Sequence, residues 1–493
     1  MKLKYITAAV ALGTQFASAT FAADNSATNS SDADEINTLK KEVQSLEEKV
    51  NALEAKQSSP GTSVPSAQYE ALDQKVRILE RERENDQDAA VALAKTQPKL
   101  TLGANGFTMS SADTNFVAQL HGLIQLDSRT FFHDGGLNGN DGFLLRRARP
   151  IFTGTVFHDF DFNFTPDFGG SAVQIQDAYI NYHYNSALQL EAGKFKAPVG
   201  LEQLQSDAYL VLNERSLVTE LVPNRDLGIE LHGDVLDGTV SYAAGLFNGG
   251  TDYNGTTVTS SFQDDKAFEG RLFFQPFKNT DLNALRGFGF GIGASYMANH
   301  PPTNSATGLT PGYTTDGQQK FFTYAAGANA NGAAWRISPQ AYYYYGPFSL
   351  MGEYVVSDQQ VASAAKSADI ANSAWEVNGG WVITGEDASY NGVNPKHPFD
   401  PRNGHWGAWQ IVARYEQLNV DSKVFSDGFA SSGKNADGAN AWSIGLNWYL
   451  NRNIRADLSF SHTYFNGFTG IAAPGVVQAQ AENVLFSRLQ LSF

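Results

Sequence analysis

Residues 442–464 read WSIGLNWYLNRNIRADLSFSHTY. The even positions Trp442, Ile444, Leu446, Trp448 and Leu450 are large and apolar, while Ser443, Gly445, Asn447 and Tyr449 lie between them. Asn451-Arg452-Asn453 then reads as a tight turn. Beyond it Ala456, Leu458, Phe460 and Tyr464 alternate with Arg455, Asp457, Ser459, Ser461 and Thr463. A period of two sends successive side chains to opposite faces of a strand. One face of this hairpin is therefore greasy and the other charged.

The last strand repeats the pattern, with Leu485, Leu489, Leu491 and Phe493 on one face and Arg488, Gln490 and Ser492 on the other. A soluble β-sandwich also alternates, but it has no need of a wet face that sets Arg and Asp opposite so many aromatics. Segments of about ten residues, apolar outside and polar inside, separated by turn residues, mark a transmembrane β-barrel. About 16 such segments run from Phe116 to Phe493, with short turns alternating with long Gly/Asn/Ser-rich loops. Backbone groups in lipid must all be paired, so the sheet must close. The predicted fold is all-β, a 16-stranded antiparallel transmembrane β-barrel over 113–493. Residues 321–326 could form an extra strand, but an odd count would break closure, so they are assigned to a loop. An even count returns both ends to one side, which places the N-terminal segment in the periplasm.

Composition agrees with this class. The chain has 46 Gly, 33 Phe and 20 Tyr, only 17% charged residues and no Cys, with a mean hydropathy of −0.30. Without disulfides, stability must come from size and hydrogen-bonded sheet. A formal charge of −16 argues against nucleic acid as a partner.

The N-terminus reads MKLKYITAAVALGTQFASATFAAD. A basic start, a short apolar run and Ala17-Ser18-Ala19 have the layout of a secretory signal peptide, assigned to 1–22. Residues 23–34 are Ser/Asn/Asp/Ala-rich and are predicted to be a disordered linker. Ile36, Leu39, Val43, Leu46, Val50 and Leu53 then form a heptad seam with β-branched residues at a and Leu at d, a pattern that favours a parallel dimer. A second amphipathic segment carries Tyr69, Leu72, Val76 and Leu79, so a helical and coiled-coil periplasmic segment is predicted over 35–96.

Residues 143–152, FLLRRARPIF, place three arginines in an apolar run. Alternation puts Phe143, Leu145, Arg147, Arg149, Ile151 and Thr153 on one face. The next strand sets Asp161, Asn163 and Thr165 against Phe160, Phe162 and Phe164, so the face with Thr, Asn and Asp is the lumen. Arg147 and Arg149 then point into water. Arg146 has the wrong parity, unless a bulge at Pro150, which cannot donate a ladder hydrogen bond, shifts it inward. The same parity places Arg271, Arg414, Arg455 and Arg488 in the lumen, near Asp127, Asp161, Asp177, Glu269, Glu416 and Asp457. These charges fit a general aqueous pore in which each sign solvates the other. They equally fit an anion path, because guanidinium forks match phosphate oxygens and arginine rings build anion pores. The residues alone leave both open.

The chain resembles the phosphate-selective porin O and P family over about 68–493. The resemblance is strongest in LRRARPIFTGTVFHDFDFNFTPDFG, VQIQDAYINYHY, GKFKAPVGLEQLQS, NERSL, LVPNRDLGIELHGD, AGLFNGG and WGAWQIVARYEQL. It implies a homotrimeric bacterial outer-membrane porin passing small anions such as phosphate or polyphosphate. Its third long loop, near 197–225, would fold inward, with Lys196, Arg215 and Arg225 at or near its borders. The family's paired constriction arginines match Arg146 and Arg147, and its constriction aspartate matches Asp177. On the first strand, where members carry another arginine, this chain has Leu123, and Arg149 replaces an aromatic, as though one charge had moved. The alternative is a porin with no phosphate preference.

An outer-membrane hydrolase would need converging nucleophile, base and orienting group. GxSxG and HExxH are absent, and His121 and His183 read as pore-wall polar residues. No His/Cys pattern suggests a metal, no cofactor is expected, and no energy-coupling motif appears, so transport would be diffusive.

Overall fold

The computed structural model describes residues 48–49, 52, 66–132, 139–170, 172–252, 265–299, 308–467 and 481–493. The expected signal peptide, linker and heptad seam lie outside the described residues. The chain divides into two compact units, Met1–Ala94 and Lys95–Phe493. In the first, Ser66–Ala94 forms a 29-residue helix, α1, with an exposed Asp73–Arg77 pair one turn apart. Among the described residues no helix is long and apolar enough to cross a membrane.

The second unit opens with a hairpin, β1 (Lys99–Gly103) and β2 (Gly106–Ser110). Long strands follow: β3 (Val117–Phe131), β4 (Gly142–Val156), β5 (Phe160–Asp167), β6 (Gln174–Asn185), β7 (Leu188–Lys196), β8 (Arg225–Val235), β9 (Val240–Phe247), β10 (Ala267–Phe274) and β11 (Phe288–Met297). After two short strands, β12 (Tyr313–Thr314) and β13 (Lys320–Phe322), come β14 (Asn329–Tyr345), β15 (Phe348–Ala362), β16 (Ser367–Val382), β17 (Ala408–Asn419), β18 (Gly438–Tyr449), β19 (Ile454–Asn466) and β20 (Ala481–Ser492). Each long strand pairs antiparallel with the next, and β20 pairs with β3 from Val484 opposite Phe131 to Ser492 opposite Leu123. Sixteen strands thus close a barrel. β12 and β13 pair only with each other, so the ambiguous stretch near 321 belongs to a loop.

The alternation fixes the faces. Trp442, Ile444, Leu458 and Leu489 lie exposed on the outer surface, whereas Ser443, Asn447, Asp457 and Arg488 are buried inside. Two segments fold inward against the barrel wall, and where they meet they form an apolar core. Ala197, Val199, Leu217, Val218, Leu221 and Val222 pack there with Tyr313, Phe321 and Phe322 against Val355, Ala374 and Leu418 of the wall.

One expectation about the faces is corrected. Gln125 pairs with Arg147 but Leu126 pairs with Leu145, so Arg146 is the extra residue of a β-bulge. Such an insertion reverses the parity of everything beyond it. Phe143 and Leu145, predicted to share the lumen face with Arg147, are instead exposed on the outside. Arg146 does face inward, by a bulge at itself rather than at Pro150, which sits in register opposite Gly122. Leu145→Arg should therefore destabilise the barrel by on the order of 1–3 kcal/mol, and Leu144→Arg by much less, as measured by urea unfolding in lipid vesicles.

Candidate pore constriction

The segment 197–224 between β7 and β8 is the third long loop, and it lies along the inner wall. Its buried N–H and C=O groups must find partners, and wall side chains supply them. Glu353 accepts from the amides of Leu201 (2.9 Å) and Glu202 (3.1 Å), at the start of a short helix, α2 (Leu201–Leu204). Glu416 accepts from the Leu217 amide at 2.7 Å, where a 3₁₀ turn begins. Gln125 donates to the Asp207 carbonyl, Gln490 to that of Ala208 and Asn447 to that of Val211, at 2.8–3.0 Å. These polar side chains are the lumen-parity residues of β3, β20 and β18. The wet face of the strands is thus the template for the loop.

Two loop carboxylates carry the electrostatics. Asp207 is 3% exposed and pairs with Arg147 at 3.1 Å and with Arg149 and Arg215. Glu214 pairs with Arg146 (2.7 Å, with a second bond at 2.9 Å) and Arg129 (2.9 Å), and lies 3.7 Å from Arg488. Two wall aspartates complete the cluster: Asp167 holds Arg149 at 2.6 Å, and Asp127 holds Arg488 through bonds of 2.6 and 2.7 Å. Six guanidinium groups therefore face four carboxylates. Burial alone would push the Asp207 carboxyl up, but Arg147, Arg215 and Arg149 together hold it well below the usual range. Glu214 is likewise driven down against its burial, chiefly by Arg146 and Arg129. Both loop acids are ionised at neutral pH. Of the wall arginines in the cluster, Arg146 is the most accessible, with 24% of its side chain exposed against 10% or less for the others.

Arg146, Arg147 and Arg149 are thus brought together, with Arg215 and Arg488. Lys196 borders them and donates to the Leu204 and Gln205 carbonyls at 3.2 and 2.7 Å. Asp177 is not with them: it pairs with Arg225 at 2.9 Å. The aspartates that meet the arginines are Asp207 of the loop and Asp167 and Asp127 of the wall. Arg455 turns to Asp457 at 2.9 Å, and Arg271 donates to Gln340 at 2.8 Å and covers the Phe273 ring. Arg414 has the opposite balance, surrounded by Asp316 (2.9 Å), Glu416 (3.2 Å) and Glu202 (3.5 Å). Leu123 lies directly across from Arg149, so a guanidinium does stand beside the position where the first strand lacks one. Sequence reasoning missed Arg129, Asp167, Asp207 and Glu214. Arg129 has the lumen parity of Gln125 and Asp127, so the same alternation test would have found it. The two loop acids lie in a segment with no period. Among the described residues no group of His, Asp or Glu is arranged to hold a metal ion.

The phosphate-selective porin O and P family model matches residues 118–493. The chain belongs to this family. It is an outer-membrane porin, a channel and not an enzyme. Porin O of Pseudomonas aeruginosa is 23% identical over 387 residues, covering 72% of this chain and 84% of that protein. Solved structures similar to this porin include the outer-membrane channel DcaP of Acinetobacter baumannii, 11% identical with a TM-score of 0.49, covering 77% of this chain and 98% of that one. The anion-selective porin from Comamonas acidovorans is 10% identical with a TM-score of 0.47, covering 77% of this chain and all of that one.

The third loop of the porin is also gripped by the 308–328 segment. Glu220 accepts from the Thr314 amide at 2.8 Å and its hydroxyl at 2.9 Å. Burial pushes the Glu220 carboxyl up to about 8 against those two bonds, and Asp252 and Asp316 add to the rise. A carboxyl raised in the docked state favours docking fully below its ordinary value of 4.5 and loses that contribution as pH rises through about 8.

Two outcomes are expected. Asp207→Ala leaves buried guanidinium groups without a counter-charge and should cost about 3–5 kcal/mol, read from denaturant midpoints in vesicles. Single-channel current should grow noisier as pH is raised from 6 to 9, and Glu220→Gln should flatten that change.

Proposed function

We propose that the porin passes small oxyanions, inorganic phosphate among them, by passive diffusion past the arginine cluster on β3, β4 and β20. The observation that carries this is the charge imbalance there, six guanidinium groups against four carboxylates. A surplus of fixed positive charge in a narrow, low-dielectric passage concentrates anions and repels cations. Arg146, the most accessible member, is the group a solute would meet first; its Nε and one terminal nitrogen are held by Glu214, so it acts on a passing anion mainly through its charge. The buried Arg147 and Arg149 would act through their field. The family supports the reading, and the same proposal includes a homotrimeric assembly and a periplasmic position for the N-terminal helix.

A second reading, a general porin, is favoured by the carboxylate-rich surroundings of Arg414. An anion meeting both regions would gain at one and lose at the other.

Reversal potentials in a planar bilayer under a KCl gradient, followed by phosphate titration, separate the two. The proposal expects anion selectivity and block of chloride current by phosphate, with Arg146→Ala raising the half-blocking concentration roughly tenfold or more. Weak or cation selectivity without block would leave the general porin.

A further inference from the structure

The hairpin β1–β2 is absorbed by neither the barrel count nor the pore. β20 ends beside Leu123, and from Leu120 to Val117 the freed edge of β3 is taken by β2, with Phe107 opposite Leu120 and Ser110 opposite Val117. The hairpin therefore extends the barrel wall beneath the ends of β19 and β20. Its tip is fixed there: Asn453 of the β18–β19 turn donates to the Ala104 carbonyl at 2.6 Å. Gly106, at φ +83°, lets β2 lie against β3, since a Cβ there would meet the Leu120 carbonyl oxygen at 2.2 Å.

Register decides which way the hairpin faces. Leu102 lies opposite Phe107, Phe107 opposite Leu120, Leu120 opposite Phe152 and Phe152 opposite Phe164. Directly opposed residues share a face, so this row is continuous with the lipid-facing side of the barrel, where Phe152 and Phe164 are exposed. Leu100 and Met109 extend it. Leu102 is 84% exposed and Leu100 65%. The other face carries Thr101, Thr108 and Gln119, the last two hydrogen-bonded.

We propose that the hairpin is a membrane-interface anchor whose Leu100, Leu102, Phe107 and Met109 face docks on the lipid leaflet at the end of the barrel where β3 begins and β20 ends. Continuity with the lipid-facing band argues for lipid as the occupant. The free edge of β1, whose only strand partner among the described residues is β2, sets the depth. Its unpaired backbone groups cannot lie in hydrocarbon, but they are satisfied in the headgroup layer, where water reaches. Lys95 and Lys99 begin and flank the hairpin, and their ammonium groups suit phosphate-bearing headgroups. The inference holds whichever solute the pore prefers.

The absence of cysteine makes a clean test available. Full-length Leu102→Cys and Thr101→Cys porins are spin-labelled and reconstituted in phosphatidylethanolamine–phosphatidylglycerol vesicles, with parental conductance confirming the fold. Collisions with lipid-soluble oxygen are compared with those of a water-soluble nickel chelate. The anchor expects oxygen to dominate several-fold at 102 and the chelate at 101. Chelate dominance at 102 would put the hairpin in water and overturn the proposal. Protection of 102 from both would overturn it too, in favour of a second copy covering that face.

Discussion

Guanidinium groups inside the lumen need counter-charges, and in the arginine cluster two loop carboxylates each meet three of these groups. Without Asp207 and Glu214, the arginines of β3, β4 and β20 would crowd one another in a confined space. With them, the third loop is bound to the wall by ion pairs as well as by hydrogen bonds from Gln125, Gln490 and Asn447. Loop placement and pore charge are thus one problem. Any change that frees the loop also alters the field a solute meets, because the same carboxylates set both.

The charges are spatially sorted. The β3–β4–β20 wall carries excess guanidinium, while the region around Arg414 carries excess carboxylate. Inside a medium of low polarisability these fields persist over longer distances than in water. Selectivity therefore depends on which side of the lumen a solute follows as well as on net charge. The chain's overall −16 says little about it, since much of the acid lies away from the arginine wall.

The barrel was legible because lipid imposes a strict period of two, and Trp442–Tyr464 alone displays it. Arg147, Arg149, Arg271, Arg414, Arg455 and Arg488 take inward positions for that reason. The bulge was not legible: nothing about Arg146 in a run of Leu and Arg distinguishes an inserted residue from a regular one, and the Pro150 that suggested a bulge lies in register. The loop partners were illegible for a different reason. Arg129 and Glu214 are 85 residues apart, and Gln125 and Gln490 are 365 apart. Such pairings follow from closure of the sheet and from the path of an aperiodic loop, neither of which leaves a local mark. The partner of Asp177 was equally illegible: it pairs with Arg225, 48 residues along the chain.

The inserted Arg146 also has a bearing on how this chain is compared with others. Along β4 the side-chain code changes phase at a single residue, with lipid read at 143 and 145 and water at 147 and 149. A gapless superposition of letters onto a relative without the bulge would equate lipid-facing positions of one protein with pore-facing positions of the other on one side of that point. Substitution patterns gathered across it would mix two solvents, and an apolar-to-charged exchange that looked drastic could be a residue keeping its environment.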